Sequence, residues 1–353
     1  MTVNGSSVEI LLDMADLVRP NAVRAAAALK LADHLSGRPM TAGELAERAG
    51  AHEGMLGKLL RYLVELGILD ADDAGRYTLT ELGEPLRRDS PQSVGQYLSA
   101  EGLFGRIELG LVGLLHSVRT GEPCHAAAFG REYWDEINND PVFVPALEAE
   151  GNQQIAWDAE LIIEAYDWSR ARRVLDVGGN NGTLLIELLT RHPHLHGTVL
   201  DLPNLARIAQ RRIEQAGLAD RAGAVAASFF DPLPTGYDVY LLSGILGDWS
   251  DERSITILRN CAEAAGPEGR VLLADIHLRV PAGTPNAARL ELFLAASMPR
   301  PSRSVDELRE LGRSAGLRVT WEGPSTPVRS LLEFSLAETA ATGAESPREP
   351  AHA

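Results

Sequence analysis

Residues Val174–Gly182 read VLDVGGNNG: a strand ending on an acid, then a glycine-rich turn, then a helix. Such a turn, at the carboxyl end of a strand in an open α/β sheet, opens the backbone to a ligand. Downstream, GTVLDLP puts Asp201 at the end of the next strand, where a carboxylate can accept both hydroxyls of a ribose. Together they imply a nucleoside cofactor. A nicotinamide dinucleotide needs G-x-G-x-x-G, so that a helix N-terminus can meet a pyrophosphate. Counted from Gly178, the second glycine falls on Asn180 and the third on Thr183, so that pattern fails. The form D-x-G-x-x-x-G, here Asp176, Gly178 and Gly182, suits S-adenosylmethionine (SAM), which carries no phosphate. Asp176 then lies near the cofactor's ammonium group, or it caps the loop without touching cofactor. Gly178 and Gly182 allow close backbone approach.

These residues need a sheet to hold them. From Arg172 the short apolar strands RRVLDVGG, GTVLDL, AGAVAASFF, YDVYLLSGIL and RVLLADIHL alternate with amphipathic helices. The alternation predicts an α/β domain with a parallel sheet and helices on both faces. A helix over Val305–Ala315 precedes LRVTWEG and SLLEFSLAE. Too few residues separate these two for a crossover helix, so they should pair antiparallel.

The first 100 residues read as helices followed by a hairpin. One helix spans Asn21–Leu35. A capping box at Thr41 and Glu44 opens a second, closed by Gly50. A third spans His52–Leu66, and ILDADDAGRYTLT forms two short strands. That is winged-helix order, and charge decides its use. Residues 1–100 hold 10 Lys and Arg against 14 Asp and Glu, and the recognition-helix position offers only Lys58 and Arg61. The whole chain of 353 residues has 33 Lys and Arg, 49 Asp and Glu, and a net charge of −16. Nucleic acid is therefore not the expected partner. No apolar run approaches the ~20 residues a membrane span needs. Cys124 and Cys261 form neither a disulfide framework nor a metal pair, and no basic region precedes the first apolar stretch. The expectation is a cytoplasmic protein with a disordered tail over residues 338–353.

LDVGGNNG, TVLDLPN, SFFDPLPTGYDVYLLS, GDWSDERSITILRNCAEA and SVDELRELGRSAGL stand in the order and spacing of one family. Over residues ~10–336 the chain resembles the SAM-dependent small-molecule O-methyltransferases of the caffeic-acid type. It is most similar to the bacterial branch that tailors polyketides, with its anthracycline 4-O-methyltransferases and aclacinomycin 10-hydroxylase. The resemblance implies a SAM-methyltransferase Rossmann-like sheet behind a winged-helix dimerisation domain. It implies a dimerisation domain over 1–100, a substrate-pocket segment over 101–170 and a SAM-binding catalytic domain over 171–337. It also implies a homodimer in which the apolar stretches Val8–Val18 and Ala22–Leu31 meet a partner chain. Gly178 would contact the methionine end of SAM or S-adenosylhomocysteine (SAH). Asp201 and Leu202 would hold ribose and adenine, Ser228 and Phe229 the adenine edge and face, and Ser243 would sit beside the methionine part. The alternative for Phe229 is core packing under the loop. Tyr133, Trp134, Asn138, Asn139 and Phe143 would wall a pocket for a small aromatic or polycyclic substrate, or brace two helices.

Three positions depart from the family. Its middle loop glycine is Asn180, the side chain most tolerant of positive φ. Its general-base histidine is replaced by Gly247, and the glutamate that orients that histidine by Ser302. Methyl transfer would then rest on proximity and orientation, or the chain keeps SAM for another reaction, such as hydroxylation, decarboxylation or a pericyclic step. His125 and His277 are the remaining histidines that could reach substrate, though each also suits a packing role. No metal is expected: Gly247 removes the family's metal-ligating histidine. The cluster HPHLH at His192–His196 lies at the end of the sheet away from ligand.

Overall fold

The computed structural model describes residues 6–150, 159–278, 280 and 283–337. They divide into two compact units, residues 6–150 with 288–297, and residues 159–287 with 298–337. The expected tail over 338–353 lies outside the described residues.

In the first unit β1 (Met40–Thr41), β2 (Leu69–Ala71) and β3 (Arg76–Leu79) form a small antiparallel sheet in the order β1-β3-β2. Helices Val18–Ala28, Leu31–Leu35, Ala42–Ala49 and Glu53–Glu65 enclose Leu31, Met40, Leu45, Leu60 and Leu63. The capping box forms as read: the Thr41 hydroxyl accepts from Glu44 N, and the Glu44 carboxylate accepts from Thr41 N. The single helix expected over 21–35 is broken. Lys30 takes a φ of +51°, and the turn it makes drives Leu31 and Leu35 into the core. Strand β1 has no counterpart in the sequence reading, since two residues are too few to alternate. The helix Ser7–Met14 and the turn after it leave Val8, Leu11, Leu12, Met14, Leu17 and Val18 exposed, the face set against a partner chain above.

The second unit is built on seven strands. They are β4 (Arg173–Val177), β5 (His196–Asp201), β6 (Ala222–Ala226), β7 (Val239–Ser243), β8 (Arg270–Ile276), β9 (Leu317–Ser325) and β10 (Arg329–Leu336). Their order is β6-β5-β4-β7-β8-β10-β9. The first five run parallel, and β10 runs antiparallel to both β8 and β9, as the short connection required. Alternate side chains fill two cores. Val174, Val199, Leu241 and Leu272 pack with helices Thr183–Arg191 and Pro203–Gln215. Leu175, Tyr240, Leu242 and Leu273 pack with helices Asp251–Ala265 and Val305–Ser314. The strand order reverses between β4 and β7, and ligands of doubly wound sheets bind outside the carboxyl ends of strands there. Among the described residues no helix is long and apolar enough to cross a membrane.

Candidate active site

The glycine loop leaves β4 with three left-handed residues, Gly178 (φ +73°), Asn180 (+53°) and Gly182 (+77°). A Cβ on Gly178 would fall 2.6 Å from Ile245 Cδ1, and one on Gly179 would fall 2.5 Å from Asp176 Oδ2. A side chain at Gly178 would be strained by its positive φ and would displace Ile245, and one at Gly179 would displace Asp176, while Asn180 adopts the positive φ open to its type. Its backbone N–H donates to Asp201 Oδ2 at 2.7 Å, and Leu202 N donates to Asp201 Oδ1 at 2.7 Å. Each Asp201 oxygen still has a lone pair for a hydroxyl.

Both acids are buried, Asp176 at 1% and Asp201 at 7% exposure. Burial, then the charge of Asp201, pushes Asp176 up to about 7. Burial raises Asp201 to about 6, against the pull of the Leu202 and Asn180 amides. Asp176 Oδ2 has no hydrogen-bond partner. A buried carboxylate of this kind lacks a cation, and SAM carries both an ammonium and a sulfonium. The residues fit the cofactor: an acid that could meet its positive end, a second acid that could take its ribose, and a loop between them whose first two residues, Gly178 and Gly179, carry no side chain.

The other expected contacts line the same edge. Ser228 follows β6, and its hydroxyl accepts from Phe230 N at 3.1 Å. Phe229 is half-buried, stands edge-on to Trp249 with ring centroids 5.8 Å apart, and lies 3.3 Å from the place a Gly178 Cβ would take. The ring packs with Trp249 and faces the glycine loop at once. Ser243 ends β7, and its Oγ accepts from Arg329 Nη1 at 3.1 Å. Asn181 was not anticipated. It is buried, its Oδ1 accepts from the Thr183 hydroxyl at 2.6 Å, and its Nδ2 has no partner.

The turn after β7, Leu246–Asp248, carries Gly247, the position at which the resemblance implies a histidine base. Gly247 is buried, and a Cβ there would meet only Arg300 O and Met298 Cε, each at an ordinary 3.5 Å. Beside Ser302 stands a residue the sequence reading passed over. Arg303 is 1% exposed, and its guanidinium donates to Leu246 O (2.7 Å), Trp249 O (2.8 Å) and Asp251 Oδ1 (2.9 Å). It clamps the turn on both sides of Gly247. Asp275, near the end of β8, is also buried, with both carboxylate oxygens unpartnered. Burial raises it to about 6 against the pull of Arg303 and Arg329. In sequence a buried arginine or aspartate looks like a surface one, so neither left a signal.

His277 is buried and its Nε2 meets Ser330 Oγ at 2.7 Å. His192 and His194 bond to the carbonyls of Ile163 (3.2 Å) and Trp168 (3.0 Å). Among the described residues no group of three or more His, Cys, Asp or Glu could hold a metal ion.

In the first unit His125 is 5% exposed and its Nε2 pairs with Glu136 Oε2 at 2.8 Å. Arg106 holds the same carboxylate through its Nε at 2.9 Å. Burial pushes the His125 imidazole below its ordinary range, against the pull of Glu136. Tyr133 stands edge-on to His125 and to Trp134. Asn138 and Phe143 are buried. Asn139 is exposed and donates to Asp135 on its own helix, so the neighbouring amides do not face one side as a pocket wall would need.

A doubly wound sheet with a glycine loop after its first strand and a buried acid closing the second, joined to a winged-helix unit, is the architecture of the SAM-dependent methyltransferases. Comparison with known proteins gives the family. The O-methyltransferase domain matches residues 112–318, and the O-methyltransferase dimerisation domain matches residues 12–88. The chain is 42% identical over 323 residues to the 2,7-dihydroxy-5-methyl-1-naphthoate 7-O-methyltransferase of Streptomyces carzinostaticus, covering 91% of this chain and 96% of that one. It is 37% identical over 346 residues to the aclacinomycin 10-hydroxylase RdmB of Streptomyces purpurascens, covering 96% and 91%. A solved structure of the O-methyltransferase NcsB1 from neocarzinostatin biosynthesis, in complex with SAM and 2-hydroxy-5-methyl naphthoic acid, superposes with a TM-score of 0.76. It is 41% identical and covers 93% of this chain and 98% of that one. The chain belongs to the O-methyltransferase family; its cofactor is SAM, and its dimerisation domain makes it a homodimer.

Proposed function

We propose that this enzyme methylates a hydroxyl of a small aromatic natural product, with hydroxynaphthoates as the first candidates, and does so without a side-chain base at position 247. One observation carries the reading: the cofactor loop is intact while the turn after β7 presents no proton acceptor at Gly247. When bound, SAM supplies an electrophilic methyl group. Asp176 faces its positive end, Asp201 and Leu202 hold the ribose, Gly178, Asn180 and Gly182 make room, and Ser228, Phe229 and Ser243 line its remaining length. Arg303 fixes the turn on which the acceptor hydroxyl would rest. The acceptor's proton leaves to solvent or to a group on the acceptor itself, and the protein contributes alignment, worth on the order of 7–11 kcal/mol in favourable cases. The division into a pairing domain (1–100), a substrate segment (101–170) and a cofactor domain (171–337) belongs to this reading. So does a cytoplasmic place of action, which suits two buried, unbridged cysteines.

The test is mass spectrometry of the purified protein with SAM and 2,7-dihydroxy-5-methyl-1-naphthoate or related hydroxynaphthoates. A product heavier by one methylene, with equimolar SAH, supports the proposal. The absence of base also favours a second reading, a SAM-binding enzyme that no longer transfers methyl, and the resemblance to a hydroxylase agrees with it. An altered product with SAM unconsumed would select that reading.

A further inference from the structure

Hydroxyls and one imidazole gather at the turn between β9 and β10. Ser325 ends β9, Ser330 faces it across the hairpin from β10, and His277 follows β8, the neighbour of β10 on its other side. Ser304 and Val305 open the helix Val305–Ser314. Together with Thr326 these residues line a cavity of about 230 Å³.

Their hydrogen bonds set the hydroxyls apart. Ser304 donates to Glu307 Oε2 at 2.8 Å and accepts from Glu307 N, and Thr326 Oγ1 accepts from the amides of Val328 and Arg329. Ser325 Oγ lies 2.8 Å from Ser330 Oγ and 3.4 Å from Arg329 O, and Ser330 Oγ lies 2.7 Å from His277 Nε2. A hydroxyl carries one proton. That of Ser325 takes the shorter bond, to Ser330, and Ser330 then passes its own to His277 Nε2. The chain of donors therefore ends on an imidazole lone pair, the base of the three. It starts at an exposed residue, whereas Ser330 is 2% and His277 7% exposed. In this arrangement no donor reaches Ser325 Oγ among the described residues, so its lone pairs are open to an electrophile. An accessible hydroxyl whose proton has a path to a buried imidazole is an activated nucleophile. The first amides of a helix lack intrahelical acceptors and carry partial positive charge, and the cavity is walled by the first residue of one, Val305, which suits a developing oxyanion.

We propose that Ser325 is the nucleophile of a second activity, acyl transfer from small activated esters, with Ser330 and His277 as its proton relay. Ser325 Oγ bonds to the ester carbonyl carbon while its proton passes to Ser330 and the Ser330 proton to His277 Nε2. The bond to the alkoxide then breaks, and the alkoxide leaves with the proton handed back through Ser330, giving an acyl-serine and an alcohol. Water attacks the acyl-serine by the same route and releases the carboxylic acid. Neither SAM nor the methyl acceptor takes part. Pockets for drug-sized ligands span about 300–1,000 Å³, so this smaller cavity takes a short acyl group and not a polycyclic one.

The test treats the full chain with p-nitrophenyl acetate, read by nitrophenolate release, and with a small alkyl fluorophosphonate. The latter loses fluoride to a serine and leaves a stable phosphonate for peptide mass spectrometry. One adduct, at Ser325, is expected. Ser325→Ala should abolish it, and Ser330→Ala and His277→Phe should each slow labelling and ester cleavage by about a hundredfold, the lower end of general-base catalysis. Ser330→Thr, which keeps the hydroxyl, should recover most of the rate. No adduct, an adduct only at another residue, or Ser325 labelling at the parent rate in Ser330→Ala overturns the proposal. If circular dichroism shows that His277→Phe does not fold, Ser330→Ala and Ser330→Thr decide.

Discussion

Two loops at the carboxyl edge of one sheet have been treated differently. The loop after β4 has three left-handed residues, a glycine at 178 whose Cβ would fall 2.6 Å from Ile245, and a buried acid, Asp176, with an unpartnered oxygen. The turn after β7 has a glycine at 247, which offers no side-chain proton acceptor, and it is held by a buried arginine with bonds on either side of that residue. On the function proposed above, the first loop grips the cofactor, and the second positions the acceptor without moving its proton.

The comparison breaks first at Gly178. A valine there would combine a β-branched side chain at φ +73° with a Cβ 2.6 Å from Ile245 Cδ1. Gly178→Val should lower SAH affinity by about a hundredfold or more by calorimetry, with circular dichroism reporting whether the sheet survives. Binding within a few fold of the parent would show that the loop does not grip cofactor.

The second test is Arg303→Met. It removes the guanidinium's bonds to Leu246 O, Trp249 O and Asp251, while Trp249 N still reaches Leu246 O and Ser254 Oγ lies 3.5 Å from both carbonyls, so the loss is about 1–3 kcal/mol. Denaturant unfolding should read that loss, and methyl transfer should fall more than SAH affinity does. Equal falls would make the clamp a general stabiliser only.

The third is a pH effect. In the folded chain Asp176 holds its proton up to about 7, whereas an unfolded aspartate releases it near about 3.9. Between those values the folded state binds the extra proton, so stability falls as pH rises from about 4 to about 7. Asp176→Asn should therefore raise the melting temperature at pH 8. A cationic ligand prefers the ionised acid, so SAH affinity should rise severalfold between about pH 6 and 8 in the parent and stay flat in Asp176→Asn. A flat parent profile would detach Asp176 from the cofactor.

The smallest effect is expected at the vacancy. Gly247→His meets no contact closer than 3.5 Å at its Cβ, but Ser302 offers no carboxylate to orient the ring. Melting temperature should change little and turnover by less than about tenfold. A larger rise would mean that the reaction geometry lacked only its base.

The cofactor loop was legible in sequence because left-handed backbone and close approach restrict residue type, so glycine and asparagine record the geometry directly. The parallel sheet and its final hairpin were legible through alternation and connection length. What escaped carries no type restriction. Lys30 turns the chain although lysine is no turn residue. Arg303, Asp275 and Arg329 are buried charges that only tertiary packing reveals. Asn138 is buried and Asn139 exposed because adjacent residues of a helix face different ways, a difference that the sequence pair alone does not show.

The most direct test of methyl transfer without a protein base is the single-turnover rate against pH, measured by SAH formation with two hydroxynaphthoates of different hydroxyl pKa. The inflection should fall at each acceptor's own pKa and move when the acceptor is changed. An inflection fixed at one pH whichever acceptor is used would reveal a base in the protein and contradict the account.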